Sequence, residues 1–259
     1  MKSRLLVLSQ VLGGLVLTGA VMRRVEAPLW AALQAERPAL RAAAMEAAAG
    51  QGMALGVLGG FRAIAADFAW IRVYVIWEKH DLPGTETLLR LVTTLDPRPL
   101  YFWLNGARII AYDMTAWRIA AAGGYDAVPV AEQEQIGARQ AHLALGWLDE
   151  AMVQHPASAD LWIDRANIEL NGRHDAAAAA ESYRHAWEQP HAPYYAARLY
   201  GELLRRLGRR TEALQWLVKL YPQLPADDDS AGAPLVLARI RDLERELRVS
   251  PAGAYRPAR

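Results

Sequence analysis

Apolar residues dominate the start of the chain and then recur with helical spacing along the rest of it. Leu5–Met22 carries no charge and is bordered on both sides by basic residues. Its length is at the lower end of the roughly 17 to 25 residues that span a hydrocarbon core. The run predicts an N-terminal transmembrane anchor over residues 1–24. A cleaved signal peptide is the alternative, because the small residues at positions 18–20 resemble a cleavage site.

Residues 25–66 are predicted to form a helical connecting region. The stretch 52–77, which overlaps its end, is unusually apolar but contains Arg62, Asp67 and Arg72. Each of these charges would cost roughly 2.5 to 3.5 kcal/mol at the centre of a bilayer, so a second membrane span is disfavoured. We expect a buried or membrane-grazing helix here instead.

The composition favours helices and narrows the range of functions. Hydrophobic residues make up 53% of the chain, enough for a sizeable core, and alanine and leucine dominate, so we predict an all-α fold. The formal net charge is only +1, which offers no field for nucleic acid, and we predict no nucleic-acid binding. The absence of cysteine excludes disulfides, thiolate metal sites and a cysteine nucleophile.

A period of about 34 residues runs through the second part of the chain. Trp103 follows Trp70 by 33 positions, Pro190 follows Pro156 by 34, and Pro225 follows Pro190 by 35. These are the spacings of a repeat built from two helices, with a proline that closes each unit. The sequence therefore predicts stacked helix pairs.

Small residues stand where the two helices of a repeat would cross. In the last unit Tyr200 and Gly201 form a large-then-small pair, Gly208 lies at the turn, and Ala213 occupies the small position of the second helix. This pattern resembles the tetratricopeptide repeat family over roughly residues 67–225. The resemblance implies a helical repeat array, an α-solenoid, in which each pair packs on the next.

The chain departs from the family pattern in one unit and after the last one. Residues 114–135 are inserted between the two helices of the middle unit, and their glycines and proline predict a loop with room for a short helix. Residues 226–234 have the composition of a linker, residues 235–249 predict a C-terminal capping helix, and residues 250–259 predict a disordered tail.

No convergent set of catalytic groups stands out along the chain. It lacks a glycine-rich phosphate loop, a His-Glu-x-x-His helix and a Gly-x-Ser-x-Gly elbow. Glu181 and His185 lie four positions apart, and residues 227–229 are three aspartates, but a surface pair and a charged linker account for them. We therefore predict that the chain is not an enzyme and uses no metal or cofactor.

The resemblance also implies a concave groove lined by the first helices of successive repeats. It assigns eight groove positions: Arg108, Tyr112, Asn167, Asn171, Tyr195, Arg198, Glu202 and Arg205. Asparagine amides can hydrogen-bond a peptide backbone, arginines can pair with carboxylates, and tyrosines offer contact area. Family members that clamp a carboxy-terminal carboxylate use a different set, since Leu104, Asp164 and Leu199 stand here where polar or basic groups would be expected.

These features predict a membrane-tethered bacterial scaffold that binds a protein or an extended peptide, in envelope assembly, secretion or pilus biogenesis. The alternative is a structural subunit of a larger membrane complex, held through the apolar segment 52–77. We expect a single-pass protein of the inner membrane with the repeats in the periplasm. The basic residues on both sides of Leu5–Met22 leave the cytoplasmic orientation open.

Overall fold

The described part of the chain is entirely helical. The computed structural model describes residues 61–225 and 227–257, and no strand occurs among them, so the predicted all-α fold is confirmed for these residues. The predicted anchor at 1–24 and most of the connecting region 25–66 lie outside the described residues. None of the described helices combines the length and the apolar character needed to cross a membrane.

The chain divides into two compact units, Met1–Phe102 and Trp103–Arg259. In the first, α1 (Arg62–Trp77) and α2 (Leu82–Leu95) form a helical hairpin. The Arg62 guanidinium donates a hydrogen bond of 2.8 Å to the carbonyl of Leu95, which ties the start of α1 to the end of α2. The face of α1 that is buried is mostly small: Ala65, Ala66, Ala69, Trp70 and Val73.

Helical structure continues through most of the segment that was expected to be a loop. The next elements are α3 (Leu100–Arg108), a π-helical turn (Ile109–Asp113), α4 (Met114–Ala121) and α5 (Val130–Gln154). Only positions 122–129 within 114–135 are non-helical. Gly123 and Gly124, with φ of 119° and 91°, make the turn between α4 and α5. The short helix allowed for in 114–135 is thus α4, and the loop is confined to positions 122–129.

The remaining helices follow in close succession: α6 (Ala159–Gly172), α7 (Ala176–Trp187), α8 (Tyr194–Arg206), α9 (Arg210–Leu220) and α10 (Ala233–Glu246), with 3₁₀ turns at Tyr221–Gln223 and Asp229–Ala231. From α5 onward each helix packs chiefly on the helices before and after it. Side chains fix where helices begin: Ser158 accepts the backbone N–H of Leu161, and Asp175 accepts that of Ala178.

Small residues let these helices approach each other closely. A methyl group on Gly106 would come within 2.7 Å of the Trp147 ring, and one on Gly201 within 2.8 Å of Leu217 Cδ2. The Trp147 side chain is fully buried, and its indole N–H donates a hydrogen bond of 2.9 Å to the carbonyl of Trp103. The large residue on one helix therefore fills the space that a glycine leaves on its neighbour.

The end of the chain is more ordered than its composition suggested. Helix α10 takes the place of the expected capping helix, and residues 250–257 fold back over it. The backbone N–H of Tyr255 donates to the Glu244 carboxylate, and the Tyr255 ring meets Tyr221 edge to face at 5.8 Å between centroids. The expectation of a disordered tail is thus wrong for these residues, because one aromatic side chain and one buried carboxylate hold them.

Candidate ligand-binding groove

The eight predicted groove residues lie on the first helices of successive pairs. Arg108 ends α3, Tyr112 lies in the π-helical turn, Asn167 and Asn171 lie on α6, and Tyr195, Arg198, Glu202 and Arg205 lie on α8. We call this set the groove row. Its members fall into two groups, one on α3, the π-helical turn and α6 and the other on α8, and their use in binding stays a prediction.

The first group is organised by an ion pair between α3 and α6. The Arg108 guanidinium donates to both carboxylate oxygens of Asp164, at 2.9 and 3.0 Å. The Asp164 side chain is only 6% exposed, whereas that of Arg108 is 52% exposed. Burial raises the pKa of Asp164 above its usual value, and the hydrogen bonds from Arg108 oppose that rise. Arg108 thus gives a buried carboxyl group a charged partner while about half of its own side chain stays exposed.

Tyr112 and Asn171 extend this group along the same two helices. Tyr112 is 38% exposed, and burial raises the pKa of its phenol while a hydrogen bond with Asn171 lowers it. Tyr112 owes its position to the π-helical turn, which adds a residue to the helix and shifts every following side chain around it. Such turns are rare and frequently occur at functional sites.

A tyrosine from a second helix completes the first group. The Tyr183 hydroxyl on α7 donates a hydrogen bond of 2.6 Å to Asn167 Oδ1. Burial, reinforced by the neighbouring Tyr195, Tyr112 and Asp164, raises the pKa of Tyr183 to about 12. The bond engages the Asn167 oxygen, so a ligand would meet the amide nitrogen of that side chain.

Replacing Tyr183 with phenylalanine is expected to lower the free energy of unfolding by about 1 kcal/mol, because Asn167 Oδ1 loses its donor while the ring still fills its site. The phenol ionises near pH 10 in the unfolded chain and at about pH 12 in the folded one. Its contribution is therefore complete below pH 10 and is lost as the pH rises towards 12. Urea titrations at neutral and alkaline pH should show the difference between wild type and variant shrinking.

The exposed Tyr125 supplies the control for this measurement. Tyr125→Phe should leave the free energy of unfolding unchanged at both pH values. An equal cost for both substitutions would show that the Tyr183 hydrogen bond contributes nothing specific.

The second group surrounds an open pocket of about 590 Å³ between α8, α9 and α10. Apolar and charged side chains both line it. The lining residues include Leu199, Leu217, Leu235 and Val236, and the charged Arg198, Glu202, Arg206, Arg239 and Asp242. Tyr195 also lines the pocket. Burial, followed by the charges of Asp160 and Asp164, raises the pKa of Tyr195.

Glu202 is the hub of the charges at the pocket. It accepts a hydrogen bond of 2.7 Å from Arg205 and pairs with Arg206 at 3.3 Å and Arg239 at 3.4 Å. The hydrogen bond from Arg205 is the main cause that lowers the pKa of Glu202. Arg205, a predicted groove residue, contacts Glu202 but does not line the pocket.

Arg198 has a different environment. It donates a hydrogen bond of 2.8 Å to the carbonyl of Ser230, and among the described residues it pairs with no carboxylate. The carbonyl fixes the direction of its guanidinium without neutralising it. A carboxylate of a ligand can therefore reach an arginine that is already held in place.

Three residues that contact the groove row are not among the predicted site residues. Asp164 contacts Arg108, Tyr183 contacts Asn167, and Arg239 contacts Glu202. One signal was available: Asp160, Asp164, Asn167 and Asn171 follow the i, i+4, i+7, i+11 spacing of a single helix face. Arg239 lies on the helix that was assigned only to capping.

The arrangement is suited to recognition through hydrogen bonds, ion pairs and aromatic contact. It offers tyrosine rings, an asparagine amide and an oriented guanidinium next to an apolar pocket. Within residues 61–225 and 227–257, no group of histidine, aspartate and glutamate side chains is placed to hold a metal ion. No protein-family model, curated protein or solved structure matches this chain.

Proposed function

We propose that this chain is a membrane-tethered scaffold of tetratricopeptide type that binds an extended segment of another protein along the groove row. The observation that carries the proposal is the continuity of the two groups. Arg108 and Asp164 join α3 to α6, Tyr183 joins α7 to Asn167 on α6, α7 packs on α8, and Arg239 joins α10 to Glu202 on α8. These contacts thus connect five helices next to an open pocket.

The charges along this surface give a bound segment a preferred direction. Beside the first group, α6 carries two aspartates four positions apart, Asp160 and Asp164, and Arg108 pairs with Asp164. The pocket lining holds three arginines and two carboxylates. A segment with a basic residue near α6, and an apolar residue followed by an acidic one near Arg198, would complement both ends.

The membrane tether and the cellular setting rest on sequence features. Leu5–Met22 is the proposed anchor, and the repeat spacing supports the family assignment. A bacterial envelope protein that recruits a partner for assembly, secretion or pilus biogenesis combines these features.

A second candidate is a structural subunit of a larger membrane complex, held through the segment 52–77. One observation favours it: large apolar side chains of α1, among them Ile64, Phe68 and Ile71, are exposed. The two candidates differ in which surface binds the partner. Groove substitutions should leave such a subunit in its complex, whereas substitutions on α1 should release it.

Site-specific crosslinking tests the groove directly. We expect a photo-crosslinking amino acid at Tyr195 in the full chain to form a discrete adduct in native membranes, because Tyr195 lines the pocket and is 41% exposed. The same probe at Lys219, exposed on α9 and outside the pocket, should not form that adduct. With the captured partner purified, Arg198→Glu should weaken its affinity by about tenfold or more, since a ligand carboxylate would then face a like charge.

Arg139→Glu is the matched charge reversal, since Arg139 is exposed on α5 and belongs to neither group. It should change the affinity by less than about twofold. Equal losses for both reversals, or identical adducts from Tyr195 and Lys219, would contradict binding along the groove row.

A further inference from the structure

Helix α1 carries a stripe of large apolar side chains that the described residues leave largely uncovered. Ile64, Phe68, Ile71 and Val75 are exposed, and Phe68 reaches 63%, while the opposite face of α1 packs on α2. At 3.6 residues per turn these four positions fall within an arc of about 60°. A helix that is apolar on both faces needs an apolar surface on each side.

The charges beside the stripe are arranged for a boundary between an apolar and a polar phase. Asp67 and Arg72 are both exposed. Each lies about 70° from the centre of the stripe, in opposite directions around the helix. When the stripe is buried in an apolar phase, both charges remain at the level of water and polar groups. Amphipathic helices at a lipid headgroup boundary have this arrangement.

The length of α1 decides between crossing a bilayer and lying on it. A helix of 16 residues is about 24 Å long, shorter than the roughly 30 Å of a hydrocarbon core. Tyr74, near the end of α1, is exposed, and its hydroxyl oxygen lies 2.8 Å from that of the exposed Tyr101 on α3. Tyrosine is enriched at the membrane–water interface, where the ring is buried and the hydroxyl stays polar.

The sequence that precedes α1 favours contact of the stripe with lipid. Positions 47–61, which lead directly into α1, contain no charged residue, and Leu5–Met22 is the proposed anchor. An anchored chain holds α1 near the bilayer at a high effective concentration, so weak apolar contacts suffice for docking. We propose that the stripe of α1 lies in the headgroup–acyl boundary of the membrane that holds the anchor. This proposal rests on the tethering in the proposed function but concerns a separate surface.

The absence of cysteine from the chain makes a clean test possible. Phe68→Cys in the full chain, labelled with an environment-sensitive fluorophore, is reconstituted into vesicles of phosphatidylethanolamine and phosphatidylglycerol. Glu86→Cys, exposed on α2 of the same unit, is the matched control. We expect acyl-brominated lipid to quench the Phe68 label at least about three times as strongly as the Glu86 label, and aqueous iodide to show the reverse order. Ile71→Cys should reproduce the Phe68 result.

Flotation of the same vesicles separates this proposal from the tether. Chain that floats but whose Phe68 and Ile71 labels are quenched by iodide as strongly as Glu86 would keep the anchor and overturn the docking. Labels shielded from both quenchers would show that protein covers α1, which overturns the lipid contact and favours the complex-subunit candidate. Chain that fails to float would overturn the tether and the docking together.

Discussion

Replacing Trp147 with alanine is expected to lower the free energy of unfolding by about 3 to 5 kcal/mol, the largest effect of any single substitution proposed for this chain. The side chain is fully buried, and its ring lies 5.1 Å from that of Trp103, centroid to centroid. The substitution leaves a cavity beside Gly106, which has no side chain to fill it. It also removes the indole donor to the Trp103 carbonyl. Urea titration followed by circular dichroism measures the change.

A graded variant keeps this prediction testable if the alanine variant fails to fold. Trp147→Phe retains most of the volume but not the N–H, and should cost about 1 to 3 kcal/mol. Val153→Ala is the control on the same helix, since Val153 is 77% exposed and should cost less than about 0.5 kcal/mol. A cost for Trp147→Phe no larger than that of Val153→Ala would show that α5 is not held by this contact.

The consequence of this contact extends to the groove. Trp147 holds α5 against the helix whose last residue is Arg108. A loosened α5 should therefore weaken partner binding as well as stability. If a folded Trp147→Phe variant binds the captured partner with wild-type affinity, then Trp147 stabilises the core without positioning the groove row.

The all-helical character could be predicted from the sequence because its signals are local. Pro190, Gly208 and Pro225 lie in the short stretches between helices, where a missing N–H or a positive φ is tolerated. The extent of helix at positions 114–121 is harder to predict, for a physical reason. Their glycine-rich continuation marks a turn, but Met114, Trp117 and Ile119 are buried on a helix whose register the π-helical turn has shifted.

The contacts of the groove row were harder to predict from the sequence because they join residues distant in the chain. Arg108 and Asp164 are separated by 56 positions, and no pattern along the sequence pairs them. The importance of Asp164 comes from burial, which only the packing of α6 against its neighbours creates. Likewise, Tyr255 was assigned to a tail because its partners, Glu244 and Tyr221, lie on separate elements.

Replacing Arg108 with methionine is expected to lower the free energy of unfolding by about 1 to 3 kcal/mol at neutral pH and by much less near pH 4. Methionine keeps an apolar stem but removes both hydrogen bonds to the buried Asp164 carboxylate. Arg108 is half exposed, so water can partly replace its guanidinium, and we expect a cost in the lower part of that range. Urea titrations across this pH range provide the measurement.

The direction of the pH dependence follows from the pKa of Asp164. Burial already raises this pKa in the folded wild type above the ordinary 3.8, and loss of Arg108 raises it further. The folded variant then holds a proton that the unfolded chain releases, so the variant loses stability as the pH rises above the unfolded value. Below that value both states are protonated, and the charge no longer contributes to the difference.

Two further variants decide whether the effect comes from the stranded carboxylate. Arg118→Met removes an exposed arginine from α4 and should change the free energy of unfolding by less than about 0.5 kcal/mol. Arg108→Met combined with Asp164→Asn removes the negative charge as well, so it should recover part of the lost stability and lose its dependence on pH. A cost for Arg108→Met that stays constant from pH 4 to neutral pH would contradict this account, because a buried, uncompensated carboxylate must respond to protonation.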